Sequence, residues 1–172
     1  MDDEGKDLLQ GDVAIDKVRA LLPTFRCAMM VTHGPAGAVH VRPLGLLGDV
    51  GRFGGVLWFF ADRRSRKVLE SAARAPVSLV FQNDVDSTYL HLTGVVTIVD
   101  DISTKRELAT PLLRIWCPDG LDDPNLTLLR FEASEGAYWD SPAGTLGRLA
   151  AFAKGMVSSN PSGLGAHGDL VL

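Results

Sequence analysis

Six consecutive apolar residues, Val56-Leu57-Trp58-Phe59-Phe60-Ala61, run into Asp62 and then into Arg63-Arg64-Ser65-Arg66-Lys67, where four of five positions are cationic. An unbroken apolar run of this length predicts a strand covered on both faces. It is the longest strictly apolar stretch in the chain, and a membrane-spanning helix needs about 20 such residues, so none is expected. Beyond the run a helix is expected, with Asp62 or Ser65 as its N-cap, Val68, Leu69, Ala72 and Ala73 at helical spacing, and Pro76 closing it. No GxGxxG follows a strand and no GxxxxGKS/T occurs, so the pattern fits neither the usual dinucleotide fold nor a P-loop.

The charge at this junction needs a reason. Free N–H groups and the dipole at a helix start favour an anion, and the side chains add the Ser65 hydroxyl and up to four cations. Cations at a helix N-terminus oppose the dipole, at roughly a few tenths of a kcal/mol each. A bound phosphate would explain that cost. The alternative is a solvated basic turn whose charges pair with nearby carboxylates, and composition alone does not choose between them. The chain carries 17 basic residues and a net charge of −4, so the local excess is an exception to its mildly acidic balance. Arg42 is a second candidate, because its forked guanidinium suits a pair of phosphate oxygens.

At 172 residues, with 46% apolar and 22% charged side chains, the chain has material for one domain with a core. The expected division is a flexible N-terminus over 1–11, one domain over 12–155, and a flexible or partner-ordered tail over 156–172. Asp12 to Leu22 reads as an amphipathic helix with Val13, Val18, Leu21 and Leu22 on one face. Residues 26–33 and 38–47 read as a hairpin across Gly34-Pro35-Ala36-Gly37, with Pro43 marking an edge or a bulge. Strands are expected over 77–81 and 87–99, the second with a bulge at Gly94. Thr104-Lys105-Arg106-Glu107 fits a capping box ahead of Leu108, Leu112 and Ile115. Residues 126–131 and 136–139 read as two further strands, and 144–154 as a last short helix. About seven strands joined mostly by tight turns, with four short helices, predict an α+β class and a mainly antiparallel barrel with peripheral helices.

The two cysteines, Cys27 and Cys117, form no CxxC pair. Cys27 lies in an apolar run and is expected to be buried, whereas Cys117, before Pro118, is expected to be more exposed. The four histidines are scattered without metal-ligand spacing, so no metal site is expected. No GxSxG elbow supports a hydrolase triad, and no catalytic residue is assigned. The acidic N-terminus lacks the pattern of a secretory signal, and a cytoplasmic protein is expected. No nucleic-acid partner is expected, because the basic run is short and no binding motif accompanies it.

Five segments in order resemble the pyridoxamine 5′-phosphate oxidase-like proteins. Trp58 to Val68 looks like their flavin-phosphate segment. Arg42-Pro43-Leu44 and Tyr89-Leu90-His91-Leu92-Thr93-Gly94 are similar to strands of the general stress protein branch. Trp116 to Pro124 and Tyr138-Trp139-Asp140-Ser141-Pro142 resemble its C-terminal signatures. The resemblance implies a split β-barrel that binds FMN as a homodimer, with the flavin at the subunit interface and a small-molecule electron donor or acceptor. It implies that Arg42, Ser65 and Lys67, with Arg66, hold the phosphate. Phe59, Phe60 and Ala61 would line the isoalloxazine, partly through their backbone. Tyr89 stands where the oxidase commonly places a glutamine facing the flavin, and Trp139 opens the segment that closes over the site from the other subunit. The Arg-Leu-His type motif that grips the pyridoxal substrate is missing from Gly144-Thr145-Leu146-Gly147-Arg148-Leu149, which argues against vitamin B6 synthesis. The function expected is a general-stress-type flavoprotein, an oxidoreductase linked to flavin or NAD(P)H. The alternatives are a non-enzymatic flavin carrier or sensor, or a related barrel that holds heme or a deazaflavin.

Overall fold

The computed structural model of the protein describes residues 7–72, 76–111, 113–140 and 166–172. Among them are eight strands: β1 (Asp7–Gln10), β2 (Cys27–His33), β3 (Val39–Gly45), β4 (Val56–Asp62), β5 (Val77–Asn83), β6 (Thr88–Val99), β7 (Leu126–Asp140) and β8 (Ala166–Val171). Four α-helices join them: α1 (Asp12–Leu21), α2 (Arg66–Ser71), α3 (Ile102–Leu108) and α4 (Leu113–Trp116). The strands form one sheet in the order β1-β8-β7-β6-β5-β2-β3, with β4 also paired to β7. Every pairing is antiparallel except β1 with β8. The path of strands does not close, so the fold is an α+β split barrel. No helix among the described residues is long and apolar enough to cross a membrane.

Alternation along the strands builds the core. Met30, Leu79 and Leu92 are register neighbours on β2, β5 and β6, and all are fully buried. Phe59 on β4 pairs with Leu129 on β7, and both side chains are fully buried. Burial of a side chain of this size contributes about 1.5–3 kcal/mol. The opposite face of β4 is covered too: Phe60 packs with Leu113, Cys117 and Leu126 under the α3–α4 segment. Two-sided cover explains the unbroken apolar run.

Helix α1 buries Ala14, Val18 and Leu21, whereas Val13, expected on the same face, is 61% exposed. Lys17 Nζ of α1 donates to Asp140 at 2.6 Å and lies 4.6 Å from the Tyr138 ring centroid, tying the helix to the end of β7. Pro43 sits on β3, an edge strand, the place in a sheet that tolerates proline. The β6–β7 register shifts between Thr93 and Gly94, as Gly94 predicts. A Cβ at Gly94 would lie 2.1 Å from the Glu132 carbonyl oxygen, so the close approach of backbones requires glycine.

Several expectations are corrected. The two strands read over 126–139 are one strand of 15 residues, because β6 pairs along nearly all of it on one side while β4 and β8 share the other. Residues 7–10 and 166–171, read as parts of flexible ends, are strands that satisfy each other's backbone groups in parallel. The cap of α3 is Asp101, whose carboxylate accepts from the Thr104 N–H at 2.7 Å, so Thr104 lies inside the helix and no capping box forms. The cysteines are reversed: Cys27 is exposed on the outward face of β2, and Cys117 is buried. The helix read at 144–154, which includes the stretch 144–149, lies outside the described residues.

Candidate functional site

The junction between β4 and α2 is a tight turn. The Ser65 N–H donates to the Asp62 carbonyl at 2.9 Å, and the Arg63 N–H donates to the Asn125 carbonyl at 2.8 Å. The Asp62 carboxylate accepts from the Arg64 N–H at 2.7 Å and from its guanidinium at 2.9 Å. Arg63 is hydrogen-bonded to Asp100. Half of the basic run is therefore the solvated, carboxylate-paired turn that the sequence left open. The other half differs. Arg66 and Lys67 lie in the first turn of α2, on the side where β2 and β3 approach.

Arg42 comes to the same place from β3. Its register partner across the ladder is Met30, so its side chain lies on the inward face with Thr32 and His40. The guanidinium donates to the Thr32 hydroxyl, and to Glu70 of α2 at 3.1 Å. Thr32 donates in turn to Glu70 at 2.5 Å. His40 Nδ1 lies 2.8 Å from the other Glu70 oxygen, and its Nε2 lies 3.2 Å from an Arg66 nitrogen. Three segments of the fold, β2, β3 and α2, thus converge on one cluster, in which Arg42 and, through His40, Arg66 meet the Glu70 carboxylate, with Lys67 in the field of Arg42.

Two observations show that the cluster suits an anion. Ser65 occupies the N-cap of α2, yet its hydroxyl makes no cap bond, and its oxygen is buried without a partner. Lys67 makes no hydrogen bond or ion pair among the described residues, and burial followed by the field of Arg42 pushes its ammonium below the ordinary lysine range. Arg42 is likewise lowered, first by burial and then by Arg66, with Glu70 offsetting part of the effect. An anion beside the unpartnered hydroxyl would offset the lowering of both Arg42 and Lys67. A phosphate, with several acceptor oxygens and up to two charges, fits this donor set.

The remaining predicted residues divide. Phe59 and Ala61 point into the core and are 0% and 5% exposed, so only their backbone is available to a ligand. Phe60 faces the second cluster under α4. Tyr89 and Trp139 are direct register partners on β6 and β7, and 37% and 48% exposed. They share the outward face with Val80 and Met29, opposite to Arg42, so one subunit does not bring them to the cationic cluster. Sequence reasoning missed Thr32, His40 and Glu70. The alternation of His40 with Val39 and Val41 was one available signal, and the position of Glu70 one turn beyond Arg66 was another.

An open, mainly antiparallel barrel with a cationic cluster at a strand–helix junction defines a split-barrel protein. The chain belongs to the family described as pyridoxamine 5′-phosphate oxidase like, whose model matches residues 13–162. A candidate general stress protein 26 from Jannaschia sp. CCS1 shares the fold with a TM-score of 0.75 at 20% identity, over 92% of this chain and 98% of that one. The general stress FMN/FAD binding protein of Xanthomonas citri has a TM-score of 0.62 at 25% identity, over 74% of this chain and 88% of that one. Protein bli-3 of Neurospora crassa is 22% identical over 161 residues, covering 88% of this chain and 76% of that protein.

Proposed function

We propose that this protein binds FMN, with the phosphate held by Arg42, Lys67 and Ser65 and with Arg66 at its edge. The observation that carries this reading is the buried, unpartnered Ser65 hydroxyl beside mutually repelling cations. The FMN/FAD-binding relative from Xanthomonas citri supports a flavin as the ligand. A bound flavin would supply the electron transfer, and the chain would supply binding, orientation and water exclusion. The exposed apolar residues of the outward face, among them Met29, Val41, Val80, Tyr89 and Trp139, would be covered in a homodimer. In that dimer each flavin lies between subunits, and Tyr89 and Trp139 reach the ring that the other subunit's cluster holds by its phosphate.

The test is a titration of the flavin-free protein with FMN, FAD and riboflavin. FMN should bind more tightly than riboflavin, which lacks the phosphate. Arg42→Ala and Lys67→Ala should each weaken FMN by about tenfold or more, the size of a lost charge-assisted hydrogen bond. If both variants bind FMN as tightly as the parent, the phosphate assignment is wrong. The same reading makes the protein an oxidoreductase that draws electrons from NAD(P)H. FMN bound without turnover would instead mark a carrier or sensor, and a heme or deazaflavin spectrum in the isolated protein would replace FMN altogether.

A further inference from the structure

We infer that Glu70 and His40 are positioning residues for the anion site, through which one carboxylate aims two guanidinium groups; this rests on the phosphate reading of that site. Glu70 is only 8% exposed at its side chain, and both of its oxygens are engaged. One oxygen takes Arg42 and Thr32, and the other takes His40 Nδ1. Its carboxyl is held below the ordinary range, first by the Thr32 hydroxyl and also by His40 and Arg42.

The roles around the ring follow from donor chemistry. A guanidinium can only donate, so the His40 Nε2 that meets Arg66 accepts. The proton therefore sits on Nδ1 and is donated to Glu70. In its neutral form His40 then has one tautomer, fixed by its two partners. The charged groups that reach it are Glu70 and Arg66 from α2, with Arg42 beside it on β3; from β2 it meets the uncharged Thr32 network. The β2–β3 turn closes the remaining side. A Cβ at Gly34 would lie 2.9 Å from His40 Cε1 and 3.3 Å from a Glu70 oxygen, so any larger residue at that position would press on both side chains.

The sign of one substitution separates positioning from simple charge balance. Removing a carboxylate from an anion site should strengthen phosphate binding if only net charge matters. If Glu70 aims Arg42 and Arg66, then Glu70→Gln should weaken FMN by about tenfold while leaving riboflavin unchanged. His40→Ala should weaken FMN less, because Arg42 keeps its direct contact with Glu70. Tighter or unchanged FMN binding by Glu70→Gln overturns the inference, as does an equal loss of FMN and riboflavin, which would mark a purely structural role.

A second readout does not depend on flavin. In nitrogen-15 NMR at mildly alkaline pH, His40 should carry its proton on Nδ1, and Glu70→Gln should shift that equilibrium. The Nε2–H tautomer in the parent protein would overturn the inference. If the parent binds neither FMN nor riboflavin, the flavin reading fails, and the tautomer measurement decides the relay by itself.

Discussion

The Thr32 hydroxyl donates to the Glu70 carboxylate across 2.5 Å, from a side chain that is 1% exposed, and accepts from Arg42. Thr32→Val keeps the shape and removes both contacts. Loss of a buried hydroxyl that serves two charged partners should destabilise the protein by about 1–3 kcal/mol at neutral pH in urea unfolding. The pH dependence has a sign. Glu70's carboxyl is lowered in the folded state, so its contribution is present above the ordinary carboxylate range and is lost as pH falls through the folded value. The stability deficit of Thr32→Val should therefore shrink in acid. A deficit that stays constant down to strongly acidic pH would show that Thr32 acts through packing alone.

Ser65 should give effects of opposite sign on stability and on binding. An N-cap serine replaced by alanine usually costs about 0.5–2 kcal/mol, but here the hydroxyl makes no cap bond and is buried without a partner. Ser65→Ala should leave the melting temperature of the flavin-free protein unchanged or raise it. The same variant should bind FMN more weakly. A lowered melting temperature with unchanged FMN binding would return Ser65 to an ordinary capping role.

Val80 and Met29 are register partners on the outward face, 39% and 38% exposed. Val80→Glu would place a charge at the centre of the proposed interface, where desolvation is costly. By sedimentation the mass should fall from dimer to monomer, with the circular dichroism spectrum retained and flavin binding weakened. A parent protein that is monomeric with flavin bound would contradict the two-subunit site.

Asp101 caps α3 by accepting from the Thr104 N–H, the Thr104 hydroxyl and the Ser103 hydroxyl. These contacts hold its carboxyl far below the ordinary range, so the cap persists until strong acid. Asp101→Ala should lower the unfolding midpoint and speed amide exchange in the first turn of α3. Asp101→Asn, itself a good cap, should lose less. Equal losses in the two variants would mean that charge, and not the cap geometry, stabilises this turn.

The β4–α2 junction was legible because its signals are contiguous: an apolar run, a cap and a burst of charge. The edge position of β3 and the bulge at Gly94 were legible for the same reason, through Pro43 and a glycine. The continuity of β7 was not. Glu132-Ala133-Ser134-Glu135 reads as an interruption, but β6, β4 and β8 offer backbone partners on both sides, and pairing overrides weak local propensity. Cys27 was misjudged because alternate residues of a strand face opposite sides, so an apolar run does not say which of its members are buried. Cys117 was misjudged because its burial comes from packing with Leu113 and Leu126, which the fold sets.

By itself the sequence determined the periods of the strands, the strand-to-helix junction and the presence of spare positive charge there. Those properties depend on neighbours along the chain. Tertiary structure alone decided that Arg63 and Arg64 pair with Asp100 and Asp62, while Arg66 and Lys67 turn toward Arg42. It also decided that Thr32 and His40, 38 and 30 residues from Glu70, share one carboxylate. The reason is physical. Side-chain type sets what a residue can donate or accept, but the sheet register and the packing of α2 set which partners stand within a hydrogen bond of it.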